Sequence, residues 1–150
     1  MRNPAALSLL LLFTGAAIAQ ASAISKVELK ECGVYESKVE RREDDAQSAS
    51  GKRTIVQGER LVNETTRVPP RAGVKFGCQV ILQGASAGEL ADFRAVLRLP
   101  RGEVSGSQAY RIGEAGYVGY TLRSAERGPW TLEIWVGERK LAEKAFVVAD

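Results

Sequence analysis

The chain has 150 residues, with 21 Lys+Arg against 18 Asp+Glu, two Cys, one Met and no His. The absence of His excludes a Ser-His-Asp triad, a Cys-His dyad, His-ligated zinc or haem, and imidazole acid–base chemistry at neutral pH. Two Cys are too few for a four-thiolate zinc site or an iron–sulfur cluster, so neither a metal nor a cofactor is expected.

Residues 1–23 read as a secretory signal peptide. Arg2 supplies the basic start, Ala5 to Ala19 is the apolar run, and Gln20-Ala21-Ser22-Ala23 is a small-residue end. The run is shorter than the roughly 20 residues that a membrane helix needs. Cleavage fits after Ala19 or after Ala23, and Ala23 is favoured because Ile24 begins a strand-like segment. The expected mature protein is a single domain over 24–150, periplasmic or secreted, with no membrane span after signal cleavage. Only Arg2 among the charged residues falls in the leader, so the remainder stays close to neutral. Nucleic-acid binding, which calls for a basic stripe with interleaved aromatics, is therefore not expected.

Val27-Glu28-Leu29-Lys30 alternates with period two, which predicts a half-buried strand over Ile24 to Tyr35. Glu36 to Arg53 holds one large apolar residue, Val39, and is expected to be a mobile, solvated loop. Its Glu43, Asp44 and Asp45 lack the spacing and turn Gly of a calcium loop. Thr54 to Val68 reads as a strand interrupted at Gly58 and ended by Pro69-Pro70. In Val74 to Gln83, Phe76, Cys78, Val80 and Leu82 share the inner face. In Asp92 to Leu99, Phe93, Ala95, Leu97 and Leu99 point inward, while Arg94, Val96 and Arg98 point outward.

Pro100-Arg101-Gly102 turns the chain, and Tyr110 to Ile112 is a short strand candidate. Tyr117 to Arg123 and Trp130 to Val136 are further strands. Gly137-Glu138 suits a type II′ turn into Arg139 to Val148, where broken alternation at Ala142-Glu143-Lys144 predicts a bulge. No segment carries a long apolar stripe of helical period. Seven to eight short strands predict an all-β fold, an immunoglobulin-like antiparallel β-sandwich, with a small closed barrel as the alternative.

Cys32 and Cys78 form an even pair in an exported chain and are most simply read as one disulfide. Two buried free thiols are the competing reading. A redox pair comes third, because catalytic dithiols are usually close in sequence.

Several stretches together resemble the bacterial family called domain of unknown function 3859. They are Gly33-Val34-Tyr35, Ser50-Gly51, Thr65-Thr66-Arg67-Val68-Pro69 and Gly73-Val74-Lys75-Phe76-Gly77 in the first half. Gly119-Tyr120-Thr121-Leu122, Gly128-Pro129-Trp130-Thr131-Leu132-Glu133-Ile134-Trp135 and the terminal run Arg139 to Val148 complete the set. The resemblance implies a small exported bacterial domain with a sandwich-like fold. It carries over no activity, ligand or catalytic residue.

Trp130 and Trp135 lie an odd number of positions apart and point to opposite faces of a regular strand. Trp130, in phase with Leu132 and Ile134, is the core anchor. Trp135 faces outward and is a candidate interaction residue, against the alternative that it packs under a loop or an Arg stem. Arg94 and Arg98 are candidate contacts for an anionic envelope group, against the alternative of pairing with Glu across the sheet. Carboxylate pairs such as Glu126 and Glu133 show no facing geometry, and no phosphate-binding Gly loop is present. The expected function is a non-catalytic binding or accessory module of the bacterial envelope, whose partner is an unknown protein or envelope component. The alternatives are an Asp/Glu hydrolase acting on envelope glycans and a purely structural envelope protein.

Overall fold

The computed structural model describes residues 23–44, 46–47 and 52–150, with side chains for all of these except 38–44 and 52–57. Of the segment 1–23 expected to be a signal peptide, all but Ala23 lies outside the described residues, as does the Ser50-Gly51 element. The described residues form nine strands: β1 (Lys26–Asp44), β2 (Lys52–Glu64), β3 (Arg67–Val68), β4 (Lys75–Gln83), β5 (Leu90–Leu99), β6 (Gly102–Arg111), β7 (Ala115–Thr121), β8 (Gly128–Val136) and β9 (Arg139–Val148). One sheet has the order β2-β1-β4-β7 and the other β3-β9-β8-β5-β6. Every pairing is antiparallel except β3 with β9, which is parallel.

The chain begins in the first sheet, touches the edge of the second at β3, and returns at β4. It crosses for β5 and β6, returns for β7, and finishes in the second sheet. These crossings are those of an immunoglobulin-like sandwich, with the β1–β2 hairpin added at the edge of one sheet.

Alternation explains the layers. Phe76, Cys78, Val80 and Leu82 of β4 and Leu132 and Ile134 of β8 are all buried between the sheets. Trp130 ties the layers together. Its ring centroid lies 5.6 Å from Phe76 in edge-on contact and 5.6 Å from Tyr120, and its indole N–H donates to the Glu126 carbonyl at 3.2 Å.

Cys32 and Cys78 are joined by a disulfide, with Cα atoms 4.1 Å apart. It links neighbouring strands of one sheet rather than the two layers. Lys30 pairs with Gln79 and Gly33 with Gly77, so Glu31 and Cys32 together oppose Cys78 in a β-bulge. Glu31 takes a positive φ of 48° there. The extra residue inverts the alternation of β1. Val27 and Leu29 pair with the inward residues Leu82 and Val80, yet beyond the bulge Val34, not Tyr35, pairs with inward Phe76. Tyr35 is thereby delivered to the outer face.

Four expectations are corrected. The polar stretch 36–53 is mostly paired backbone, with β1 and β2 in register as far as Asp44 and Lys52. A two-stranded ribbon of this kind can be held by its backbone ladder and by cross-strand pairs such as Arg60 with Glu36. The stretch 54–68 breaks at Thr65-Thr66 rather than at Gly58, where an extra residue bulges within β2. Residues 102–111 form a full strand, although only 110–112 were expected, because most of their side chains are small or polar. The bulge in β9 falls at Leu141: Ile134 pairs with Ala142 and Trp135 with Lys140. At the β8–β9 turn, Gly137 alone of the two central residues has positive φ, at 58°, the pattern of a type II′ turn.

Candidate functional site

The outer face of the second sheet holds the residues singled out in the sequence. Cross-strand register sets Arg94 opposite Trp135 and Arg98 opposite Thr131. The Arg94 guanidinium lies 5.7 Å from the Trp135 ring centroid, within cation–π range. The Trp135 indole N–H donates to Glu133 Oε2 at 3.1 Å, and Arg98 Nε donates to Glu133 Oε1. Arg98 also reaches Glu103 at 2.9 Å.

Glu133, which strand parity places on the outer face with Trp135, is the hub of this face, a role the sequence reading missed. Its side chain is only 3% exposed, and both carboxylate oxygens are used. The bond to Glu133 raises the Arg98 pKa above its ordinary value. The structure thus brings Trp135, Arg94 and Arg98 together, but largely to satisfy one another. The indole N–H is spent and Arg98 is shared between two carboxylates. Val96, although outward in phase, is covered as well. Glu126 contributes its backbone carbonyl to Trp130.

The outer face of the first sheet carries a second constellation. Tyr35 from β1 and Tyr117 from β7 stack with ring centroids 4.7 Å apart and planes tilted by 51°. Tyr117 lies across its own sheet and donates its hydroxyl to the Phe76 carbonyl at 3.1 Å. Gly119 makes this possible, because a Cβ there would sit 2.0 Å from the Tyr117 hydroxyl oxygen. Tyr110, on the inner face at the end of β6, reaches the edge of the first sheet from the core side and covers Gly116, where a Cβ would lie 2.5 Å from its ring. The Tyr110 hydroxyl donates to the Tyr117 carbonyl and that of Tyr35 to the Glu31 carbonyl.

Beside these rings, Lys75 Nζ binds Glu59 Oε1 at 3.0 Å and also Ser37 Oγ. The three tyrosines, Glu59, Gln79 and the backbone of Gly58, Ala115 and Gly116 line a cleft of about 490 Å³. Each of the three tyrosine hydroxyls donates its proton to a backbone carbonyl, which fixes the rings in place.

Burial is the first cause that pushes the Tyr35 hydroxyl up to about 12, aided by the charges of Glu31 and Glu64. Burial, with Glu59 next, raises Tyr117 further, and burial raises Tyr110. A hydroxyl whose folded pKa lies above its unfolded value contributes stability that is complete below about pH 10. For Tyr35 that contribution is lost as the pH rises from about 10 to about 12. An alkaline titration followed by phenolate absorbance should therefore show Tyr35, Tyr110 and Tyr117 ionising late, with the denaturation midpoint falling over the same window. If these three tyrosines ionised near pH 10 in the folded protein, the buried cluster would be refuted.

The class defined by this fold is the immunoglobulin-like β-sandwich, stapled within one sheet and bearing an aromatic cleft on that sheet's outer face. No family model matches the chain, and no curated protein matches it. Among solved structures it is similar to an immunoglobulin-like protein from Pseudomonas aeruginosa. The two are 23% identical with a TM-score of 0.49, over 83% of this chain and 99% of that chain.

Proposed function

We propose that the protein is an exported, non-catalytic binding module of the bacterial cell envelope, taking a hydroxyl- and amide-rich ligand such as a glycan strand in the tyrosine cleft. The observation that carries this reading is the cleft itself: aromatic walls, a size suited to a small ligand, and a few fixed polar groups. Apolar ring faces beside the carboxylate of Glu59 and the amide of Gln79 suit sugar rings, whose C–H faces stack while their hydroxyls donate. The signal-like leader and the disulfide support export. So does the resemblance to domain of unknown function 3859, of which we propose this chain is a member. A two-carboxylate hydrolase is less well supported, since Glu59 is the one carboxylate lining the cleft and Lys75 holds it.

Calorimetric titration with soluble muropeptides tests the reading. Saturable binding is expected, with the fragments recovered unchanged by mass. Gln79→Ala should weaken binding by roughly 3- to 10-fold through one lost hydrogen bond, whereas Arg94→Ala on the opposite face should leave it intact. Absence of saturable binding, or weakening by Arg94→Ala and not by Gln79→Ala, would move the site elsewhere.

A further inference from the structure

Strand β6 ends the second sheet and, among the described residues, is paired to β5 alone. Its ten pairs with β5, from Leu90 with Arg111 to Leu99 with Gly102, run without a single register shift. Long, regular edge strands invite pairing, and proteins usually blunt them with Lys, Pro or a bulge. Strand β6 has none of these. The other edges differ: β3 is two residues long, β2 is bulged and carries several charges, and β7 has its Tyr117 carbonyl taken by Tyr110.

We propose that two copies of this chain pair antiparallel through β6, joining their second sheets into one continuous sheet. The charges set the register. Strand β6 carries two, Glu103 near its start and Arg111 at its end, both on the outer face with Ser105, Ser107 and Ala109. A two-fold axis at Ser107 places Glu103 opposite Arg111 of the second copy, twice per dimer. It also places Val104 opposite Tyr110 on the inner face. An axis at Ser105 or Ala109 sets Glu103 or Arg111 opposite Ser107 and loses both attractions, and one at residue 103 or 111 sets like charges against each other. Val104, 45% exposed in the single chain, gains a cross-strand aromatic neighbour of a kind that stabilises sheets. The contact is isologous and closes, so it stops at a dimer.

Sedimentation equilibrium on the folded protein tests this with a charge swap. Wild type is expected to dimerise reversibly. Glu103→Arg and Arg111→Glu should each raise the dimer dissociation constant by about tenfold, since each turns two attractions into two repulsions. The double variant, with the pair restored in reverse, should recover wild-type association. Near-UV circular dichroism confirms that every variant is folded. A wild type that stays monomeric at all concentrations overturns the proposal. So does a dimer that neither single swap weakens, or one that the double variant does not restore.

Discussion

Trp130→Ala is expected to lower the unfolding free energy by about 3–5 kcal/mol, a large part of the roughly 5–15 kcal/mol typical of a domain. The ring is 1% exposed and fills the space between the two sheets, edge-on to Phe76 and against Tyr120. Its removal leaves a cavity that rigid sheets on both sides cannot close, so the transfer cost and the cavity cost add. Trp130→Phe keeps most of the ring packing but abandons the hydrogen bond to the Glu126 carbonyl. It should cost clearly less than the alanine. Equilibrium denaturation in guanidinium chloride measures both. A loss under about 1 kcal/mol for the alanine would mean that Trp130 does not join the layers.

The second large effect belongs to the disulfide. Replacing both cysteines, Cys32→Ala with Cys78→Ala, should cost about 3–4 kcal/mol, chiefly by freeing the unfolded chain across a sequence separation of 46 residues. Cys78 is fully buried, so alanine is preferred to serine, which would bury an unpartnered hydroxyl. Because the effect acts on the unfolded state, the denaturant slope should rise as the unlinked chain exposes more surface. An unchanged slope with the full loss of stability would instead locate the effect in native packing.

The fold was legible wherever a strand buries one face and wets the other. Strands β4, β5 and β8 show that alternation plainly, and the structure places their apolar residues between the sheets. The pattern fails where no core face exists. The stretch Glu36 to Arg53 offers one large apolar residue, Val39, and β6 offers Gly106 and Gln108 where a buried strand would offer large apolar residues.

The candidate cleft was illegible for a different reason. A strand read as continuous alternation puts Tyr35 in phase with Val27 and Leu29, toward the core. The bulge at Glu31 and Cys32, opposite Cys78, reverses that phase. A one-residue insertion in a ladder leaves no trace in composition, and here it decides which face carries the aromatic cluster. Trp135, Arg94 and Arg98 were visible as an outward set, but not the buried Glu133 that binds two of them. A Glu between Leu132 and Ile134 reads simply as the wet side of a strand.

The central claim, a non-catalytic binding module working through the tyrosine cleft, is tested most directly by mapping backbone amide shifts during titration with soluble muropeptides. The account predicts saturable shifts confined to Tyr35, Gly58, Glu59, Gln79, Gly116 and Tyr117, with the ligand signals unchanged in time. Shifts centred on Arg94 and Trp135, no shifts at all, or the appearance of cleaved ligand would contradict it.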